Sequence, residues 1–270
     1  MESGARYPLK TDDKLLVENY RPISVLPALS KVIERVVYTQ LSIPDQLGYL
    51  YKYQYVFRRG HSTQQAIPQF NDWVLEAMDR GKVTGLLFVD ISKAFDSLNH
   101  KVLLGKLESL RSYLARRRQR VLRNGELSHC RVITHGIPQE SILGPLLFNI
   151  YVNSLPNVVK NARVILYADD AVLICTAPTS VEAILARDFN WICDRYQLAI
   201  NVKKTKLMLA RSNTMLSLFD DVALQMNGTQ VDRVHSCKYL GVAMDKKWSW
   251  KPHITNLLRS YSCWSSPVCV

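Results

Sequence analysis

The sequence predicts an α+β fold, with strands and helices following one another as β-α-β-β-α-β, and three observations predict it. Gly85-Leu-Leu-Phe-Val-Asp-Ile91 is a short apolar run of the kind a buried strand shows, and it ends at a carboxylate. Arg163-Val-Ile-Leu-Tyr-Ala168 and Ala171-Val-Leu-Ile-Cys175 are two further apolar runs, joined by a turn made of Asp169 and Asp170. Helical periodicity follows the first and the third of these strands.

Each element has its own local reason. From about Ala94 to Leu114 the apolar residues recur at helical spacing. Asn124-Gly125, between Val121-Leu122 and Cys130-Arg-Val-Ile133, reads as a hairpin with a tight turn. Ser141, then Pro145 and a run to Tyr151, reads as a buried helix with proline tolerated in its first turn. Thr179-x-x-Glu182 is a capping box. It opens a helix with Val181, Ile184, Leu185, Phe189, Ile192 and Tyr196 on its apolar face, and Arg187, Asp188, Asp194 and Arg195 on the other. A strand from Lys206 to Ala210 closes the unit, and Asn256 to Val270, with neither period, is expected to be irregular.

With the 110–160 region as an insertion, this order is that of a split βαβ, ferredoxin-like antiparallel sheet with helices on one face. The crossover makes the second strand parallel to the first, so both end at one edge. If the third strand inserts beside the first, Asp90 becomes a neighbour of Asp169 and Asp170. Crowded carboxylates repel and raise one another's pKa unless a cation compensates. An all-oxygen set without His or Cys suits a hard cation such as Mg²⁺, in the two-ion arrangement used for in-line phosphoryl transfer. Asp169-Asp170 alone would read as an ordinary polar turn, and it is Asp90 at the neighbouring strand end that favours the metal-binding reading.

The 270 residues carry 35 Lys+Arg against 23 Asp+Glu, a formal charge of +12, and 47% are hydrophobic. That composition excludes collagen-like, low-complexity and wholly disordered chains, and the basic surplus points to a polyanionic partner or a solvated basic face. Six cysteines at these spacings form neither a disulfide scaffold nor a zinc finger, so reduced thiols are expected. Charges interrupt the first thirty residues, and the most apolar stretch, Ile142 to Val152, is far shorter than the roughly 20 residues that cross a bilayer. The expectation is a soluble, intracellular protein with no membrane partner; the sequence sets no oligomeric state.

Seven blocks occur in order: Asn19-Tyr-Arg-Pro-Ile-Ser24, Gly60-His-Ser-Thr63, Phe88-Val-Asp-Ile-Ser-Lys-Ala-Phe-Asp96, Gly136-Ile-Pro-Gln139 with Ile142-Leu-Gly-Pro-Leu146, Tyr167-Ala-Asp-Asp170, Asn201-x-x-Lys-Thr205 and Lys238-Tyr-Leu-Gly-Val242. On these blocks the chain, from about Leu9 to Pro252, resembles the reverse transcriptases of non-LTR (LINE-type) retrotransposons. The resemblance implies an RNA-directed DNA polymerase that takes an RNA template, a DNA primer and dNTPs, using two Mg²⁺ ions with Mn²⁺ as a substitute. It implies a fingers-like region over 1–84, a palm over 85–255 with a fingers insertion within about 110–135, and an irregular tail over 256–270. By the same resemblance Asp90 and Asp169 would hold the metal ions with Asp170 in support. Lys204 would protonate the leaving pyrophosphate. Ile91, Ser92, Lys93 and Ala94 would cradle the triphosphate, and Phe95 would lie under the sugar and exclude a 2′-hydroxyl. Lys10 and Arg21 would clamp the triphosphate, and Gln139 would lie near the templating pair. Arg58, Arg59, Gly136, Pro138 and Tyr167 would contact template or primer. Arg116-Arg117-Arg118-x-Arg120 reads either as a phosphate-contacting patch or as a solvated helix end. Nuclear residence follows only by analogy.

Departures from the family pattern motivate an alternative, a decayed or co-opted remnant that binds nucleic acid without catalysis. Glu140 stands where the family has glycine, Val56 replaces another glycine, and Ser154 replaces a common Asp. About ten residues are missing between Leu110 and Arg111, and no helical thumb is expected after Pro252. An RNA-synthesising polymerase is a third reading, against which Phe95 counts.

Overall fold

In the computed structural model the described residues are 2–6, 23–41, 48–91, 94–107, 114, 118–123, 126–138, 140–177, 185, 188, 190, 192–193, 198, 200–210, 224–226 and 228–264. Strands β1 (Glu2–Arg6) and β2 (Ile23–Val25) precede helices α1 (Ala28–Leu41) and α2 (Thr63–Asp79). Strand β3 (Val83–Asp90) leads into two short helices, α3 (Ala94–Ser97) and α4 (His100–Lys106). Strands β4 (Arg118–Arg123), β5 (Glu126–Leu127) and β6 (Arg131–Val132) come before helix α5 (Gly144–Val152). Then follow β7 (Arg163–Tyr167), β8 (Asp170–Ala177), β9 (Lys206–Ala210), β10 (Gln225–Met226), β11 (Thr229–Gln230), β12 (Asp232–Arg233), β13 (Ser236–Tyr239), β14 (Val242–Asp245) and helix α6 (Lys251–Trp264).

The central sheet has the order β12-β9-β3-β8-β7. Strand β8 lies between β3 and β7 and is antiparallel to both, with Val83 opposite Ala177 and Asp90 opposite Asp170 at the two ends of one unbroken ladder. A second sheet joins β1, β2, β4, β5 and β6, so residues 2–6 and 118–132 belong together although 112 positions separate Arg6 from Arg118.

Strand β3 is buried along almost its whole length, and its residues alternate between two cores. Leu87 and Val89 face one that contains Phe148 and Tyr151 of α5, Leu103 of α4, and Leu185 and Ile192. Leu86 and Phe88 face the other, built on Phe70, Trp73 and Val74 of α2 with Tyr239, Met244 and Trp248. The expectation of helices on one face is therefore corrected, because α2 covers the opposite face. A continuous apolar run, rather than an alternating one, is what burial on both faces produces. The local signal for α2 is Ser62-x-x-Gln65. The Gln64 N–H donates to Ser62 Oγ (3.2 Å) and the Ser62 N–H to Gln65 Oε1 (3.3 Å), a complete capping box.

Four further expectations change. The helix expected over 94–114 is broken after Ser97, because Asn99 pairs with His135 and its Oδ1 accepts the Lys101 N–H (2.8 Å) to start α4. Asp188, expected on a solvated face, is fully buried. It accepts the N–H groups of Asn161 (2.9 Å) and Ala162 (3.1 Å), which satisfies its charge where the chain enters β7. Arg118 and Arg120 lie on strand β4, not at a helix end. The tail expected to be irregular from 256, and the palm boundary at 255, fall inside α6, where Ile254, Leu257, Leu258 and Tyr261 do recur at helical spacing. The hairpin arms 118–123 and 126–127 are present, while Asn124, Gly125, Arg116, Arg117, Thr179 and Glu182 lie outside the described residues.

Candidate active site

The β3–β8 ladder sets the centre of the site. Residues directly opposite one another in an antiparallel pair share a face, so Asp90 and Asp170 project together from the face that carries Phe88 and Val172. The ladder continues one step, with the Ile91 N–H donating to the Asp169 carbonyl (3.1 Å). Ala168 and Asp169 form the two-residue connection between β7 and β8, closed by Tyr167 opposite Asp170. Ala168 has φ +54°, the region that hairpin turns ordinarily fill with glycine. Backbone strain of this kind concentrates where a turn must aim functional groups.

Electrostatics follow from that crowding. Burial first, then the charges of Asp169 and Asp90, push the Asp170 carboxyl up to about 6, against a smaller downward pull from Lys204. Lys204 Nζ lies 3.7 Å from Asp90 Oδ2, with the lysine side chain 70% exposed and the aspartate 25%. The Asn201 block explains how the lysine arrives there. The Asn201 N–H donates to the Asp90 carbonyl (2.9 Å), and the N–H groups of Lys204 (3.1 Å) and Thr205 (2.9 Å) donate back to the Asn201 carbonyl. A tight turn is thus tied to the end of β3.

Among the described residues no three His, Cys, Asp or Glu side chains gather as a metal-holding cluster. The donors nevertheless fit a hard divalent cation that keeps its waters and takes only one or two protein carboxylates beside substrate phosphates. Asp90 and Asp170 face each other, Asp169 adjoins them, and the Asp170 carboxyl, raised first by burial and then by its acidic neighbours, is a group whose charged form a cation would favour.

Around this centre Phe95, in α3, is held by two rings. It stacks on Phe148 of α5 (5.3 Å between centroids, 30° between planes) and meets Phe57 edge-on (6.3 Å, 72°). Of the residues expected to cradle the triphosphate, Ile91 has its N–H engaged with the Asp169 carbonyl and its side chain in the core. Ala94 is buried at the start of α3. Arg58, half-buried, donates to the carbonyls of Tyr51 (2.9 Å) and Gln54 (3.0 Å) and so ties the 51–54 segment together; Arg59 is exposed. Lys10, Arg21, Ser92, Lys93 and Gln139 lie outside the described residues.

Gly136 has φ +80°, and a Cβ there would come within 2.9 Å of the Asp96 carbonyl oxygen, so glycine is required. Beyond Pro138, whose carbonyl accepts the Ser141 N–H (3.3 Å), Glu140 has φ +67° with its side chain exposed. A non-glycine residue therefore stands in a left-handed conformation at the position where the family pattern has glycine. Ser141 Oγ accepts the Gly144 N–H (2.9 Å), and the Ile142 N–H donates to Oε2 of Glu34 (2.8 Å), a buried residue of α1. Both fix the entry to α5.

Several residues escape sequence reasoning. Cys237 and Tyr239 of β13 sit close enough to Asp170 that its charge, after burial, helps raise the pKa of both. Their signal was the Lys238-Tyr-Leu-Gly-Val242 block, which is the turn of the β13–β14 hairpin, with Leu240 (φ +47°) and Gly241 (φ +89°) both left-handed as such turns require. Asn149 interrupts the apolar pattern of α5 and is a fully buried strut: its Oδ1 accepts from Gln54 Nε2 (2.9 Å) and its Nδ2 donates to the Val56 carbonyl (2.8 Å).

Comparison with known proteins agrees with this geometry. The family described as Reverse transcriptase (RNA-dependent DNA polymerase) matches residues 9–244. The probable RNA-directed DNA polymerase from transposon BS of Drosophila melanogaster is 32% identical over 88% of this chain, and the RNA-directed DNA polymerase from mobile element jockey of Drosophila funebris is 30% identical over 91%. The chain spans 28% and 29% of the length of these two relatives. Apo telomerase of Candida tropicalis, truncated from its C-terminal domain, shares the fold at a TM-score of 0.55 and 10% identity, over 90% of this chain and 53% of that one. With the family's match extending from before β2 into β14, the chain belongs to the reverse transcriptase (RNA-dependent DNA polymerase) family.

Proposed function

We propose that this chain is the polymerase core of a non-LTR retrotransposon reverse transcriptase, adding dNTPs to a DNA primer 3′-hydroxyl on an RNA template. The observation that carries the reading is the facing of Asp90 and Asp170 across β3–β8, with Asp169 in the adjoining turn and the Lys204 ammonium 3.7 Å from Asp90. Two Mg²⁺ ions bound there, or Mn²⁺ in their place, would supply activation of the primer hydroxyl and charge stabilisation on the pyrophosphate. Asp90 and Asp169 are the proposed holders of the metal, and Asp170 supports them. Lys204 carries a proton at Nζ that it can pass to the leaving group. Phe95 lies under the incoming sugar and leaves no room for a 2′-hydroxyl. Ser92, Lys93 and Ala94 border the triphosphate, with Lys10 and Arg21 as its clamp. Gly136, Pro138, Gln139, Tyr167 and Arg59 border the template and primer. Residues 1–84 with the 118–132 strands act as fingers, and the central sheet as palm.

Primer extension on an RNA template tests this reading, run with dNTPs and with rNTPs, in Mg²⁺ and in EDTA. The expected result is Mg²⁺-dependent incorporation of dNTPs only. Equal use of rNTPs would assign the core to an RNA-synthesising polymerase, and incorporation in EDTA would remove the metal from the account.

A second reading is favoured by Glu140, whose left-handed backbone places a charged side chain where the family pattern has none. In it the chain binds nucleic acid without catalysis. RNA binding without incorporation, unrestored by Glu140→Gly, would favour this reading over the first.

A further inference from the structure

Residues 134–138 run as a strap along residues 95–100, and the strap carries the required glycine. The Ile137 N–H donates to the Phe95 carbonyl (2.8 Å), the Gly136 N–H to the Leu98 carbonyl (2.8 Å), and the His100 N–H to the Thr134 carbonyl (3.3 Å). Asn99 and His135 form a β-bridge beside them. The approach is as close as a backbone allows, since a Cβ on Gly136 would lie 3.0 Å from the Asp96 Cα. At the centre of the contact His100, only 7% exposed, places Nε2 2.6 Å from the Gly136 carbonyl oxygen. A carbonyl only accepts, so Nε2 carries the proton and the ring is the donor.

The clasp has a mechanical consequence for Phe95. Its backbone is bonded to the strap through Ile137, a core residue, and its ring is pressed on Phe148. Whatever fixes the strap fixes the depth and tilt of that ring. We propose that His100 is a positioning residue, which clasps the 134–138 strap through the Gly136 carbonyl and thereby holds Phe95 in the attitude that reads the nucleotide sugar. This rests on the reading of Phe95 given above.

Two amides separate the clasp from mere packing. In glutamine the amide nitrogen lies as many bonds from Cβ as Nε2 does in histidine, so His100→Gln can reach the Gly136 carbonyl. His100→Asn is equally polar and too short. The measurements are amide hydrogen exchange at Gly136 and Ile137, and the ratio of dNTP to rNTP incorporation with kcat and KM resolved, in the full chain. The proposal expects His100→Asn to speed exchange at both amides by about tenfold or more and to erode selection through KM by a similar factor, with His100→Gln close to wild type on both. Equal behaviour of the two variants, or unchanged exchange in His100→Asn, overturns it. Fast exchange with intact selection also overturns it, provided that Phe95→Val, run alongside, does lose selection. If Phe95→Val keeps selection, the reading of Phe95 is what fails; the clasp is then judged on exchange and on KM for dNTP, and failure of either to respond overturns it. Should His100→Asn fail to fold, exchange in His100→Gln decides, because a clasp that glutamine does not restore is not a hydrogen bond to Gly136.

Discussion

Asp170 and Glu140 are the two residues whose local physics is most exposed to test. The folded protein holds the Asp170 proton more tightly than the usual 3.8, with the carboxyl raised to about 6. The sign follows: the contribution of this group to stability is fully present below the unfolded value and is lost as pH rises through the folded one. Metal-free protein should therefore lose melting temperature relative to Asp170→Asn between about pH 4 and pH 7. Saturating Mg²⁺ should narrow the gap at pH 7 and do little at pH 4, and an unchanged gap across this range would show that burial and the neighbouring carboxylates do not raise Asp170 as described. Glu140 has φ +67°, a conformation that costs an ordinary L-residue roughly 1–2 kcal/mol, part of which glycine forfeits through its freer unfolded chain. Glu140→Gly should raise unfolding stability by up to about 1 kcal/mol in chemical denaturation. The family resemblance marks Glu140 only as a departure; the backbone angle gives the departure a physical cost.

At the scale of elements, α5 is the member that ties the site to its surroundings. Its entry is fixed by Ser141 and by Glu34 from α1, its middle by Asn149 across to Gln54 and Val56, and its end by Lys106. That lysine donates to the Ile150 (3.4 Å) and Tyr151 carbonyls and to Ser154 Oγ (2.7 Å), placing a positive charge at the helix C-terminus where it is favoured. Ser154 stands where the family pattern commonly has Asp, and the structure shows what an Asp would meet. Ser154→Asp should form a half-buried ion pair with Lys106 and add about 1 kcal/mol of stability, measured by thermal or denaturant unfolding; a neutral result would mean that desolvation cancels the pairing. The sequence made α5, β3, β7, β8 and β9 legible because each is a bounded apolar run with turn residues at its ends. Helix α2 is less legible because a proline, Pro68, stands inside an otherwise helical spacing of Ala66, Phe70, Trp73, Val74 and Ala77. The buried roles of Asp188 and Asn149 are not legible in the sequence because the partners that satisfy them, Asn161 and Gln54, lie 27 and 95 residues away.

For the whole molecule, the sheet separates two cores and delivers its acidic end to one edge, while the formal charge of +12 surrounds an acid-centred site with a basic chain. Binding to an RNA–DNA hybrid should weaken steadily with salt, a log–log slope of about −0.7 to −0.9 per phosphate neutralised, and persist in Asp90→Ala. A salt-independent affinity would mean that the charge serves no nucleic acid. Two helices also carry unburied apolar stripes, Leu29, Val32, Ile33 and Val36 on α1, and Ile254, Leu257, Leu258 and Tyr261 on α6. In α1 the residues turned inward include Ser30 and Glu34, an inversion of the usual pattern that no periodicity could have assigned to a face. The central claim remains that Asp90, Asp170 facing it and Asp169 in the adjoining turn act together as the carboxylates of the polymerase site, and single-turnover primer extension in Mg²⁺ tests it most directly. Asp90→Ala, and Asp169→Ala with Asp170→Ala, should each lower the rate by about a thousandfold or more while the hybrid still binds; incorporation at the wild-type rate in the double variant would contradict it.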